Sequence, residues 1–134
     1  MREILFRGKG DKKYNDGMWY FGVPIRCYDG DWQICTDDSK RTVIPETVGQ
    51  YTGLKDENGT KIFEGDIVYA ASKYDAADMV VVYNPAEFRL VLCEDYKTYK
   101  PGLRFKCYER FNMQVIGNIY DNPELLGGKE DDLG

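Results

Sequence analysis

Apolar positions along the chain fall in short runs broken by glycine, proline and acidic residues, a pattern that specifies strands joined by tight turns. The run EILFRGK, residues 3 to 9, sets Ile4, Phe6 and Gly8 against Leu5 and Arg7, and predicts a first strand with much of its surface covered. The polar stretch from Gly8 to Asp16 ends it. Trp19 to Cys27 and Trp32 to Thr36 then read as a hairpin through Asp29-Gly30, because glycine accepts the positive φ of a tight reversal. Pro45 fixes φ and lacks an N–H, so DDSKRTVIPETVGQYTG reads as a connection or sheet edge with one turn of helix around Glu46.

Three apolar runs follow, DIVYAAS, MVVVYN and FRLVLCE, separated by KYDAAD and by an Asn84-Pro85 turn, which together make a meander. LRFKCYERFNMQVIGNIY supplies two more strands with a turn near Arg110 to Asn112. Its pleat places Leu103, Phe105 and Cys107 on one face and Arg104, Lys106 and Tyr108 on the other. In DNPELLGG, Asn122 as N-cap, Pro123 at the first helical position and glycines after Leu126 predict one short C-terminal helical turn.

With about eight to ten strands and hardly any helix, the fold class is all-β, built as two small sheet lobes or partly open barrels. Residues 1–134 read as a single domain. Within it lie an N-terminal hairpin lobe at 1–50, a connecting turn region at 51–65, a meander at 66–126 and a flexible acidic tail at 127–134.

The connecting stretch YTGLKDENGTKIFEGDIV concentrates acidic groups between apolar runs and raises the question of a ligand. Asp56, Asn58 and Thr60 have the alternating oxygens of a calcium loop, but Lys61 stands where such a loop needs glycine and Ile67 where it needs a bidentate glutamate. Asn58-Gly59 between apolar residues is a strong hairpin signal instead. Glu64 and Asp66, two apart on a continuous strand, would share a face and resemble a metal or acid–base pair. With Gly65 making a turn, Asp66 becomes an acceptor for backbone N–H groups at a strand entrance. Asn58, Gly59, Gly65 and Asp66 are therefore read as structural turn residues.

Composition narrows the chemistry. The 14 % aromatic content suits pleated surfaces. A net charge of -5 argues against general nucleic-acid binding. The chain has no histidine, which removes the imidazole on which Ser-His-Asp, Cys-His and HExxH sites depend. Cys27, Cys35, Cys93 and Cys107 have no zinc-ligand spacing and are read as reduced thiols. No leader-type apolar segment opens the chain, and no run reaches membrane-spanning length, so a soluble protein away from membranes is expected. No catalytic residue, metal ligand or cofactor site is predicted. One segment, YKTYKPGLRFKCYERF, interleaves cations with aromatic rings. Tyr99, Lys100, Arg104, Lys106, Tyr108 and Arg110 form its candidate partner surface, on which rings can stack bases while cations meet phosphate.

MREILFRGK at the start, VGQYTGLKDENGTKIFEGDIV in the middle and VIGNIYDNPELL near the end, in that order and spacing, closely resemble the YopX family of bacteriophage and prophage proteins. The resemblance spans nearly the whole chain. It implies a mainly β protein of a phage or prophage in the cytoplasm of a bacterial host, and a second half similar to an SH3-like barrel. It transfers no catalytic residues. The function expected from residues and resemblance together is non-enzymatic association with a phage or host protein, including homo-oligomer formation through sheet edges and aromatic surface. The alternative is a nucleic-acid-binding factor using the basic aromatic stretch at 96–111.

Overall fold

A computed structural model describes residues 3–14, 17–73, 75–83, 87–98, 103–104 and 112–126, with backbone alone at 97–98 and 103–104. The chain is all-β, and among the described residues its helical segments are all short 3-10 turns. It forms two compact units, residues 1–53 and 54–134.

The first unit is built from β1 (Phe6–Lys9), β2 (Trp19–Arg26), β3 (Trp32–Cys35), β4 (Lys40–Val43) and most of β5 (Gly49–Lys55), in the order β4-β3-β2-β1-β5. The β1–β2, β1–β5, β2–β3 and β3–β4 pairings are antiparallel. The β2–β3 hairpin turns through Asp29-Gly30, where Gly30 N–H donates to Cys27 C=O at 2.9 Å and Cys27 N–H to Asp31 C=O at 2.8 Å. β4 then curls back on β1. Gly10 bridges Val43, Asp11 N–H donates to Thr42 C=O and Ile44 N–H donates to Lys9 C=O. That closure turns the sheet toward a small barrel around the fully buried Ile34 and Val43.

Such tight curvature leaves no room for a side chain at Gly22, whose Cβ would fall 1.9 Å from the Cys35 carbonyl oxygen. Pro45 opens a 3-10 turn (Pro45–Thr47), as its fixed φ suggested, but the strands on either side escape the sequence pattern. The stretch expected to be a connection or edge holds the edge strand β4, the connection at Pro45 and, beyond that expectation, the interior strand β5. Lys40 and Arg41 point to solvent and mask the alternation that would have marked β4.

The second unit carries a five-stranded sheet in the order β10-β9-β8-β7-β11, from β7 (Asp66–Ala71), β8 (Ala76–Tyr83), β9 (Phe88–Leu92), β10 (Leu103–Arg104) and β11 (Asn112–Asn118). β6 (Lys61–Phe63) pairs with the end of β5 across the turn at Asn58-Gly59. The three predicted apolar runs are β7, β8 and β9, with one correction. Ala76, Ala77 and Asp78, expected in a loop, begin β8 and pair with Ala71, Ala70 and Tyr69. The expected Asn84-Pro85 turn lies outside the described residues, and Asn112, expected in a turn, opens β11.

Apolar residues cover both faces of this sheet. Val68, Ala70, Met79, Val81, Leu90 and Met113 pack with Ile62 of β6 on one side. Ile67, Val80 and Cys93 pack with Leu126 on the other. Two-sided burial explains why β7 and β8 read as continuous apolar runs rather than alternating ones. The second cover includes Tyr96, Leu125 and Ile119, so the 3-10 segments Cys93–Thr98 and Pro123–Leu126 serve as its packing layer. Asn122 precedes Pro123 as predicted, and its backbone carbonyl accepts from Leu125 N–H. Its side chain turns back instead, with Oδ1 accepting from Asn118 N–H at 3.2 Å. Among the described residues no helix is long and apolar enough to cross a membrane.

Candidate functional site

The acidic turn that posed the ligand question has its oxygens engaged by the chain itself. Asp56 follows β5 and is 8 % exposed. Its Oδ1 accepts from Asn58 N–H and Thr60 N–H, both at 2.9 Å, and its Oδ2 accepts from Val115 N–H at 2.9 Å. Burial pushes the carboxyl upward, but the N–H groups of Val115, Thr60 and Asn58 together hold it below its ordinary value of 3.8. Beside it, Glu57 N–H donates to Met113 C=O at 3.1 Å. One turn thus satisfies two neighbouring backbone groups of β11 on the side away from β7. Sequence reading treated Asp56 only as a failed calcium ligand. Its contact with Val115, 59 residues away, leaves no local signature.

Asn58 and Gly59 lie exposed in this turn, with Gly59 at φ +85° and its N–H donating to Asp56 C=O at 3.0 Å. Gly65 has φ +93°. Asp66 is almost fully buried at the start of β7, and its Oδ2 accepts from Phe63 N–H at 2.7 Å. Gly65 itself links strands: its N–H donates to Val81 C=O and its C=O accepts from Ile119 N–H. Asp56 and Asp66 therefore act as acceptors that shape backbone. Among the described residues no three of Cys, Asp and Glu gather in a metal-holding group.

Of the basic aromatic surface, Tyr99, Lys100, Lys106, Tyr108 and Arg110 lie outside the described residues. Arg104 is placed by backbone only, in β10 opposite Arg89. Cys27, Cys35 and Cys93 are free thiols. Burial, with the negative charge of Asp78 adding to it, pushes Cys93 up to about 11, so its thiol stays protonated and unreactive at neutral pH.

A different surface emerges on β2. Phe21 and Val23 are 47 and 56 % exposed although β2 is an interior strand, paired on both edges. Met18, immediately before the strand, is exposed as well. Register places Phe21 opposite Arg7, Trp19 opposite Lys9, and Val23 opposite Cys35, which itself opposes Lys40. Directly opposed side chains share a face. Arg7 is buried there, its guanidinium 4.6 Å from the centre of the Trp19 ring, within cation–π range. On this face the structure sets an apolar centre between cations. The sequence held the signal, since Phe21 and Val23 share the period-two alternation of β2. Which face would be covered could not be read from it.

These features define an all-β protein of two small antiparallel sheets, distinguished by an apolar strand face. The family model described as YopX protein matches residues 9–127, and the chain belongs to the YopX family. The crystal structure of protein yopX from Bacillus subtilis is similar at a TM-score of 0.54 and 20 % identity, covering 95 % of this chain and 100 % of that one. The crystal structure of protein EF1440 from Enterococcus faecalis is similar at a TM-score of 0.52 and 24 % identity, with the same coverage. At such identities the likeness establishes the fold. Comparison with curated proteins gives no match.

Proposed function

We propose that this chain is a non-enzymatic accessory protein of a bacteriophage or prophage, acting in the bacterial cytoplasm by binding other proteins. The observation that carries the reading is the exposed Phe21–Val23 face of β2. An interior strand that keeps large apolar side chains in solvent marks a contact surface, because burying them in a complex releases the water they order. Membership of the YopX family supports the phage or prophage origin. The lack of histidine, and the use of Asp56 and Asp66 as backbone acceptors, favour a binding role over catalysis. The five-stranded antiparallel second sheet supports the SH3-like reading of that half.

Capture from lysates of infected or lysogenic bacteria tests the association. The wild-type chain should retain specific proteins that Phe21→Asp and Val23→Asp lose. Equal retention by wild type and variants would overturn the reading. Homo-oligomer formation belongs to the same proposal and is checked by light scattering across a concentration series. A monomer throughout removes it.

A further inference from the structure

The strands of the first barrel are electrically one-sided. β1 to β4 contain Arg7, Lys9, Arg26, Lys40 and Arg41 and not one carboxylate, in a chain whose net charge is -5. Of these cations, Arg7, Lys9 and Lys40 share the face of Phe21 and Val23 by register. Arg7 is buried against Trp19, which leaves half-buried Lys9 and exposed Lys40 as the charges at the two margins of the apolar centre. Side chains two apart on a strand repeat at roughly 6.8 Å, the same spacing that an extended polypeptide offers.

We propose that this face receives an acidic, extended polypeptide segment of another protein, with its apolar side chains against Phe21 and Val23 and its carboxylates toward Lys9 and Lys40. The inference rests on the association reading and names the chemistry of the partner.

Two other occupants fit less well. A two-fold contact with a second copy would set Lys9 and Lys40 against the same cations of its mate, and like charges in an interface are unfavourable. Single-stranded nucleic acid needs open rings for stacking. On this face, among the described residues, Trp19 already carries Arg7 on its ring and Val23 offers no ring, which leaves Phe21 as a single exposed ring where stacking of successive bases needs several. Apolar anchors flanked by cations match a peptide with alternating apolar and acidic residues.

The test titrates the full chain with a short peptide alternating Leu and Glu, a counterpart alternating Leu and Lys, and an oligothymidylate. Tryptophan fluorescence reports the binding, since Trp19 lies on this face. The Leu/Glu peptide should bind, and raising NaCl from about 0.05 to about 0.5 M should weaken it about fivefold or more, because exposed ion pairs are screened. Lys40→Glu and Val23→Asp should each weaken it further, with circular dichroism confirming that the variants are folded. The salt series on wild-type protein needs no variant. Stronger binding of the Leu/Lys peptide, binding of the oligothymidylate alone, or insensitivity to both salt and Lys40→Glu would overturn the proposal. If captured proteins depend on Phe21 and Val23 but not on Lys40 or salt, the association reading stands and the acidic partner falls. If they depend on none of these residues, both fall.

Discussion

Asp56 accepts three backbone N–H bonds through one carboxylate, two from its own turn and one from β11. An asparagine there has a single acceptor oxygen and turns an amide toward the remaining donors. Asp56→Asn should therefore destabilise the chain by about 1 to 3 kcal/mol at neutral pH, measured by urea denaturation. The folded carboxyl lies below its ordinary value of 3.8, so the unfolded chain takes up the proton first as pH falls. The stabilisation is fully present above about pH 4 and is lost as pH drops through the lower folded value, and Asp56→Asn should lack that acid-dependent component. Gly59 gives a cleaner backbone test, since a Cβ added there meets nothing within 4 Å and φ is +85°. Gly59→Val should cost about 1 to 3 kcal/mol in the same measurement, all of it conformational strain. Asn-Gly announced this turn in the sequence. The bond from Val115 to Asp56 had no such announcement, because partners so far apart in the chain meet only after β11 has paired with β7.

At the scale of elements, β8 differs from β2 in the fate of its two faces. Val80 and Val81 are both fully buried, one in each apolar cluster of the second unit. Val80→Ala and Val81→Ala should each destabilise by about 1 to 2 kcal/mol in thermal or urea unfolding, because each removes methyl groups from a packed environment. Val23→Ala on the exposed face of β2 should leave stability nearly unchanged in the same experiment. The apolar run VVVY identified β8 as a strand, yet its two-sided cover comes from β6 on one side and 3-10 segments on the other. β4 shows the converse. Its outward Lys40 and Arg41 gave the sequence little to mark a strand, and pairing with β3 and closure onto Gly10 decide its conformation.

For the whole molecule, acidic composition sets behaviour that no single contact controls. With an isoelectric point near 4.8, turbidity and precipitation should peak close to that pH, where loss of net charge removes repulsion between copies. The Asp56 contribution is lost only as pH falls below about 4, so the unfolding midpoint should begin to lose that component at more acidic pH than the solubility minimum. Short strand runs, turn-forming Asp29-Gly30 and Asn58-Gly59, and the absence of histidine are properties of the chain read locally. The first two determined an all-β fold, because turn chemistry and side-chain period act over a few residues. Curvature at Gly22, the anchoring of Asp56 on β11 and the cationic margin around Phe21 and Val23 were decided only by tertiary structure. Each depends on strands meeting in a particular register, and register brings together side chains that the sequence keeps apart.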